Sequence, residues 1–224
     1  MTKPSSYTPE PPSEDLRIRR VAGRAGYERE TVEAIVDAAL VAHVGTIRDG
    51  APVVIPMLAV RDADWLLLHG APASGTFRRG RGRQVCVTMT LLDGLVLARS
   101  AFHHSLNYRS VVILGRAEVI RDAVERERAL EILMERLVPG RQAQLRPTSE
   151  AEIKQTAVMR ISLAHASTKI RTGPPVDEDE DYDWPVWAGV VPVKTVLGQP
   201  QPDPRLVEGV GLPADVEALA DTIR

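Results

Sequence analysis

The sequence contains very little cysteine: Cys86 is the single thiol in 224 residues. One thiol cannot form an internal disulfide, so nothing in the chain requires an oxidising compartment. The apolar run around Cys86 predicts a buried structural thiol. No stretch approaches the ~18 consecutive apolar residues of a membrane-spanning helix, and residues 1–15 lack the apolar segment of a signal peptide. These absences predict a cytoplasmic protein with no membrane partner.

An excess of charge of either sign is also missing. Lys and Arg number 28 and Asp and Glu 30, which gives a formal net charge of −2 and a pI near 6.2. This balance gives no reason to expect a nucleic-acid partner. The chain also lacks the Gly-x-Ser-x-Gly elbow of Ser-His-Asp hydrolases. Both glycine-rich nucleotide fingerprints, Gly-x-x-x-x-Gly-Lys and Gly-x-Gly-x-x-Gly, are absent as well.

Hydrophobic periodicity predicts a mainly β protein. Apolar residues make up 44% of the chain, which is enough for a full core. Strand-like runs are separated by turn signals, of which Asp49-Gly50 is the clearest. The predicted strands are 41–48, 52–60, 65–69, 84–90 continuing after a bend to 95–100, 108–120 and 157–170. Six or so strands joined mostly by short turns indicate an antiparallel β-barrel with flanking helices.

Helical signals flank these strands. The apolar stripe that begins at Val32 predicts one helix before the first strand. Asp122 predicts the N-terminus of a second helix, and Ser149 followed by Glu152 has the capping-box spacing of a third, shorter one. Residues 213–224 predict a short surface helix.

Composition divides the chain into three parts. These are a disordered, basic N-terminal arm (1–24), the barrel (25–175) and a C-terminal extension (176–224). The acidic run from Asp177 to Asp183 predicts a solvated loop. Exposure of Trp184 and Trp187 would be costly, so the extension is expected to dock on the barrel or on a partner subunit.

One chemically loaded stretch follows the third predicted strand. It opens with His69 and Gly70, continues through small residues and Ser74, and ends with Arg78 and Arg79. Small residues let backbone N–H groups approach a phosphate, while hydroxyl and guanidinium groups donate hydrogen bonds to it. The stretch is therefore a candidate phosphate site, although a plain surface turn has the same composition.

A second polar stretch contains two adjacent histidines, His103 and His104, followed by Asn107, Arg109 and Ser110. Adjacent residues of a strand point to opposite faces, so both histidines cannot easily bind one metal ion. No cysteine or acidic residue stands at ligand spacing. We therefore predict no metal site here.

Several segments together resemble a known family. They are Val44-Gly45-Thr46, Val54-Ile55-Pro56-Met57, Leu68-His69-Gly70, residues 91–105, Asn107-Tyr108-Arg109-Ser110-Val111 and Trp187-Ala188-Gly189-Val190-Val191-Pro192. From about residue 25 onward the chain resembles the pyridoxamine 5'-phosphate oxidase-related proteins, in particular the branch that includes nitroimidazole-resistance-type flavoproteins. The resemblance implies an FMN-binding split β-barrel that forms a homodimer, with FMN in clefts between the subunits.

The resemblance also implies which residues hold the flavin. Ser74 matches the serine of the oxidases' phosphate loop, but Gly75-Thr76 stand where those enzymes have Arg-Lys, so Arg78 or Arg79 is expected to supply the charge. Arg109 matches a later arginine, and Ser110 replaces a glutamine. The implied cofactor-binding residues are Ile55, Pro56, Met57, Leu58, His69, Gly70, Ser74, Arg78, Arg79, Asn107, Arg109 and Ser110.

The resulting functional prediction is an FMN-dependent oxidoreductase. The flavin would carry the redox chemistry, reducing a small aromatic or quinone-like molecule with electrons from a nicotinamide donor, and no residue is assigned a catalytic role. Two alternatives stay open on the same barrel. One is a non-catalytic flavin- or haem-binding protein, and the other is a deazaflavin-dependent reductase.

Overall fold

The structure, a computed structural model, describes residues 10–220 and 222. Its strands are β1 (Ala25–Gly26), β2 (Val41–Arg48), β3 (Ala51–Asp62), β4 (Trp65–Gly70), β5 (Gln84–Leu97), β6 (Ser105–Arg116), β7 (Glu118–Val119), β8 (Ala157–Ser162), β9 (Ala166–Arg171) and β10 (Gly189–Pro192). They form one antiparallel sheet in the order β1-β9-β6-β5-β2-β3-β4-β8-β7, with β10 paired to β5. The predicted mainly β split barrel is confirmed.

The hairpin between β2 and β3 has the turn that Asp49-Gly50 predicts. Both residues have positive φ, 49° at Asp49 and 81° at Gly50, as a type I′ turn requires. The register then runs without interruption over all eight residues of β2. Burial alternates along β2, so that Ala42 and Val44 face the core.

In the described part of the chain, five α-helices flank the sheet. They are α1 (Arg29–Ala38), α2 (Gly75–Gly80), α3 (Ala123–Leu137), α4 (Glu150–Gln155) and α5 (Ala214–Glu217). The Asp122 side chain caps α3 by accepting the N–H of Glu125. Ser149 and Glu152 form the predicted reciprocal capping box at α4. Short 3₁₀ turns lie at Glu14–Leu16, Ala22–Arg24, Ala101–His103, Arg141–Gln144 and Asp179–Asp181.

Among the described residues, two hydrophobic cores hold these layers together. The larger one lies inside the barrel, where Val32, Ile35 and Val36 of α1 are buried against the strands. The smaller one lies where α3 covers the other face of β4 and β8. It consists of Leu67, Ile120, Ala129 and Val158. Because Leu66 and Leu68 belong to the larger core, β4 is buried on both faces.

Residues 10–220 contain ten strands rather than the predicted six or so, for local reasons. The predicted strand 157–170 is two strands, β8 and β9, with a turn between them, and β1, β7 and β10 are short additional strands. The predicted bend near Gly94 is a β-bulge inside one continuous strand, with the register shift between Leu92 and Gly94. Strand β6 begins at Ser105, three residues before the predicted start at Tyr108.

Cys86 lies half-buried rather than in the core. Along β5 the buried positions are its neighbours Val85 and Val87, so the thiol points to the other face of the sheet. Burial nevertheless raises the pKa of Cys86. The prediction of a buried thiol is therefore correct only in part, because Cys86 is half-buried and lies outside the core.

The N-terminal arm and the C-terminal extension both contact the barrel. Residues 1–9 of the predicted arm lie outside the described residues; from Glu10 onward the arm runs along the barrel, with Leu16 buried and the N–H of Ile18 bonded to the Tyr27 hydroxyl. The C-terminal extension joins the sheet through β10. Trp184 and Trp187 remain largely exposed in this single chain. No helix among the described residues is long and apolar enough to cross a membrane.

Candidate functional site

At one end of the barrel β3 parts from β4, and we call the gap between these two strands the cleft. The two strands pair only as far as Ala59↔Leu68, after which β4 continues to Gly70 beside β8. In the described part of the chain, the edge of β3 over residues 51–58 that points away from β2 faces no strand. Ile55, Pro56, Met57 and Leu58 lie on this edge. Its unpaired backbone N–H and C=O groups are available to a ligand.

The end of β4 lies across the cleft from that edge. If the pairing continued, His69 and Gly70 would stand opposite Leu58 and Met57. Gly70 is needed for packing, because a Cβ built on it would lie 2.8 Å from the buried Phe77 ring. The sequence thus brings two predicted segments, one on β3 and one on β4, to the two sides of one cleft.

The turn after β4 leads into α2, and Ser74 caps this helix. Its Oγ accepts the N–H of Phe77 at 3.4 Å, which leaves the hydroxyl hydrogen free to donate. The predicted phosphate loop therefore exists as a tight turn followed by a short helix. Phe77, on the inner side of that helix, fixes the turn to the barrel core.

The two arginines of α2 point in different directions. Arg78 is exposed, whereas Arg79 is half-buried and folds back over the start of the helix. A Cβ built on Gly75 would lie 2.1 Å from an Nη of Arg79, so the glycine makes room for the guanidinium. Among the described residues, neither arginine has an acidic partner, in contrast to Arg61 and Arg109, which carboxylates hold. The loop carries uncompensated positive charge.

Two buried ring and guanidinium nitrogens at the cleft have no hydrogen-bond partner in the described residues. They are Nδ1 of His69 and Nε of Arg79. Buried polar atoms are nearly always satisfied in folded proteins. Together with the unpaired edge of β3, the Ser74 hydroxyl and the arginines without acidic partners, these groups fit a polar, anionic ligand such as a flavin with its phosphate.

Three other predicted residues lie elsewhere. Asn107, Arg109 and Ser110 are on β6, which β5 and β2 separate from β3 in the sheet. Arg109 makes two hydrogen bonds to Asp93, at 2.9 and 2.7 Å, and this contact raises the pKa of Arg109. The Ser110 hydroxyl donates to the backbone carbonyl of Lys169. Their contact with a flavin stays a prediction, and within one chain they do not join the cleft.

Asn107 has a structural role that the sequence did not indicate. Its amide donates to the carbonyl of Gly173 at 3.0 Å and accepts from the buried Arg171 guanidinium. Burial lowers the pKa of Arg171, so the charged guanidinium depends on such acceptors. Asn107 therefore ties β6 to the start of the C-terminal extension.

Asn107→Ala is expected to lower the free energy of unfolding by about 1–3 kcal/mol, because Arg171 would stay buried without this acceptor. Denaturant unfolding followed by circular dichroism measures the change. Asn107→Asp keeps an acceptor toward Arg171 and is expected to lose less. Equal stability of Asn107→Ala and the parent would contradict the role.

A buried ion pair secures the C-terminal extension, and sequence reasoning missed it. Asp177, predicted to lie in a solvated loop, is buried and accepts both the backbone N–H of Arg99 at 3.0 Å and its guanidinium at 3.1 Å. The same guanidinium stacks on the Tyr182 ring, 4.7 Å from its centroid. Burial acts to raise the pKa of Asp177, but the hydrogen bonds from Arg99 outweigh it and lower the pKa.

The adjacent histidines lie at the end of a 3₁₀ turn rather than within a strand. The Nε2 of His103 is 3.5 Å from the Glu178 carboxylate, and its ring meets the Phe102 ring edge-on. The Nδ1 of His104 is 2.8 Å from the carbonyl oxygen of Ser100. The described residues contain no group of three or more His, Cys, Asp or Glu side chains placed to hold a metal ion.

The split barrel with its cleft matches a known family. The family model described as Pyridoxamine 5'-phosphate oxidase matches residues 28–170, the segment from the start of α1 to the end of the barrel. The chain belongs to this family. The flavin-binding split-barrel fold is thereby confirmed, while the identity of the flavin stays a prediction.

Three solved structures are similar to this chain. The flavocytochrome Anf3 from Azotobacter vinelandii is 42% identical with a TM-score of 0.92, and the match covers 96% of this chain and 100% of that one. The FAD and haem binding protein from Mycobacterium smegmatis is 36% identical with a TM-score of 0.84, over 88% and 98%.

A 5-nitroimidazole antibiotic resistance protein from Bacteroides thetaiotaomicron is 24% identical with a TM-score of 0.56, over 65% of this chain and 86% of that one. At this identity the likeness concerns the fold. No curated protein sequence matches the chain.

Proposed function

We propose that this protein is an oxidoreductase that holds both a phosphorylated flavin and a haem. The observation that carries the proposal is the similarity to the flavocytochrome, 42% identical over 96% of this chain. It includes the C-terminal extension, which lies beyond the segment 28–170 that defines the family. The second relative, which binds FAD and haem, supports the same pair of cofactors.

The cleft supplies the groups that a phosphorylated flavin needs. The free edge of β3 around Ile55 offers backbone donors and acceptors to the polar edge of the ring system. Ser74 and Arg79 offer a hydroxyl and an uncompensated guanidinium to the phosphate, which FMN and FAD share. When bound, the flavin supplies two-electron chemistry and the haem one-electron chemistry. The proposed donor is a nicotinamide and the acceptor a small aromatic or quinone-like molecule.

The experiment is to purify the protein with haem supplied during expression. Both flavin bands and a Soret band are expected, and mass spectrometry of the ligands released on denaturation distinguishes FMN from FAD. Addition of a nicotinamide donor without oxygen should then bleach the flavin and reduce the haem. Flavin without haem would refute the proposed pair of cofactors and leave a flavin-only oxidoreductase as the function. A protein that takes up neither, or that binds only a deazaflavin, would refute the proposal.

A homodimer is part of the same proposal. In a dimer the β6 residues of one subunit could reach the cleft of the other, which a single chain does not allow. The exposed apolar side chains Ile47, Val54 and Ile55 on the β2–β3 hairpin are suited to a subunit contact. Such obligate interfaces typically bury over ~2,000 Å².

Light scattering is expected to give twice the mass of the 24.5 kDa chain. Val54→Glu should shift the protein toward monomer and reduce its flavin content, because it places a charge in an apolar contact. Val207→Glu, at another exposed valine, is the matched control. A parent that stays monomeric at micromolar concentration would contradict the dimer.

A further inference from the structure

An open apolar row crosses three strands at one end of the sheet. Leu95 of β5 pairs with Leu106 of β6 on one side and with Val191 of β10 on the other. Residues directly opposite one another in antiparallel strands project from the same face. The three side chains remain 39%, 45% and 44% exposed, respectively. We call this row of Leu95, Leu106 and Val191 the outer apolar row.

A tryptophan ring stands at the side of this row. Gly189, two residues before Val191 on β10, projects from the same face because side chains alternate along a strand. A Cβ built on Gly189 would lie 2.8 Å from Cζ2 of Trp187, so the indole occupies the space that a side chain would take. Trp187 is still 65% exposed. The indole and the outer apolar row together form one apolar surface on this face of the sheet, and this surface is open to solvent.

His104 lies at the edge of the same face. It precedes Leu106 by two residues and has an extended backbone, φ −58° and ψ 141°, which places both residues on one side. Its Nδ1 is 2.8 Å from the Ser100 carbonyl oxygen. Because a carbonyl can only accept, Nδ1 carries the proton and Nε2 holds a free lone pair in the neutral ring. Histidines that bind metals typically donate their other ring N–H in this manner.

The other histidines are less suited to this role. Nε2 of His103 faces the Glu178 carboxylate at 3.5 Å. Within the described residues, no ring hydrogen bond orients His43, His69 or His165, and Nδ1 of His69 is buried without a partner.

We propose that His104 is an axial ligand of the haem and that the outer apolar row, together with Trp187, packs against the macrocycle. The inference rests on the proposed function, which supplies the haem. A haem needs one or two protein ligands because the porphyrin nitrogens fill the equatorial positions. The site therefore requires no cluster of metal-binding side chains, and a flat apolar surface beside one oriented imidazole suffices.

The test compares His104→Gly with His103→Ala in the full chain, both expressed with haem. His104→Gly is expected to retain about tenfold less haem per protein, to change the position of the Soret band and to keep its flavin content. His103→Ala should retain the parent spectrum. Added imidazole should restore the Soret band of His104→Gly, since a free imidazole can replace a missing ligand but not a missing structural contact.

A second variant tests the surface without touching the ligand. Leu106→Glu should weaken haem binding by about tenfold or more, and Val207→Glu should not. A His104→Gly protein with the parent's haem content and spectrum, or one that imidazole fails to rescue, would overturn the ligand assignment. A parent that binds flavin but no haem would instead refute the proposed function, so the two failures are distinguishable.

Discussion

Arg79→Ala is expected to weaken FMN binding by about tenfold to a hundredfold and to leave riboflavin binding unchanged. A hydrogen bond to a charged group contributes about 1.5–3 kcal/mol, and each 1.4 kcal/mol corresponds to about a factor of ten. Riboflavin lacks the phosphate, so it reports any general damage to the cleft. Fluorescence titration of the apoprotein with each ligand measures both affinities.

Two further variants separate charge from position. Arg78 is exposed and points away from Arg79, so Arg78→Ala is expected to change the preference for FMN over riboflavin little. Gly75→Ala keeps the positive charge but pushes the Arg79 guanidinium aside, since the new Cβ would lie 2.1 Å from it. It should therefore reduce the preference partly. A parent that binds FMN and riboflavin equally would refute the phosphate role of the loop altogether.

Local sequence rules predict elements well where one residue type is needed at one position. Asp49-Gly50 predicts the β2–β3 turn because its two positive φ angles are costly for most residues. Ser149 and Glu152 predict the start of α4 because their side chains satisfy otherwise unpaired helix N–H groups. In both cases the deciding interaction lies within four residues, so no knowledge of the remaining fold is needed.

The elements that sequence reasoning missed depend on distant partners. The turn between β8 and β9 has no Gly or Pro to mark it, and it forms because β8 pairs with β4 while β9 pairs with β6. Strand β6 begins early, at Ser105, since Leu106 already pairs with Leu95 across the bulge. Local propensity does not show which distant strand will pair with a given segment.

The residues of the candidate site also fall into two groups, those with neighbours close in sequence and those with distant partners. The family resemblance groups His69, Gly70 and Ser74, and the structure places them close together at the end of β4 and in the turn that follows it; their contact with a flavin stays a prediction. The family resemblance implies Asn107 as a cofactor-binding residue, and that contact stays a prediction; in the single chain its amide bonds to Gly173 and Arg171. Both partners lie more than sixty residues away, and nothing in the polar stretch itself distinguishes an internal acceptor from a ligand.

Asp177 is expected to control whether the C-terminal extension stays docked. Its side chain is fully buried against Arg99, and the hydrogen bonds from Arg99 lower the pKa of Asp177 below its ordinary value. A carboxylate whose pKa is lowered by folding stabilises the folded state at pH values above the pKa of the unfolded chain, which is about 3.9 for Asp. That contribution is lost as the pH falls through the lower, folded value. The extension should therefore stay docked at neutral pH and loosen only in acid below about pH 4.

Asp177→Ala should produce the loosened state at neutral pH, because it leaves the Arg99 guanidinium without its carboxylate partner. Limited proteolysis is expected to remove the extension about tenfold faster than in the parent, since segments that open locally are cut first, and mass spectrometry of the fragments locates the cut.

Asp177→Asn keeps a hydrogen-bond acceptor for the Arg99 N–H but has no charge, so its digestion rate should be intermediate and should not rise in acid. Asp183→Ala removes an exposed acid of the same run and should digest like the parent. Equal digestion of Asp177→Ala and Asp183→Ala would show that pairing of β10 with β5 holds the extension without the ion pair.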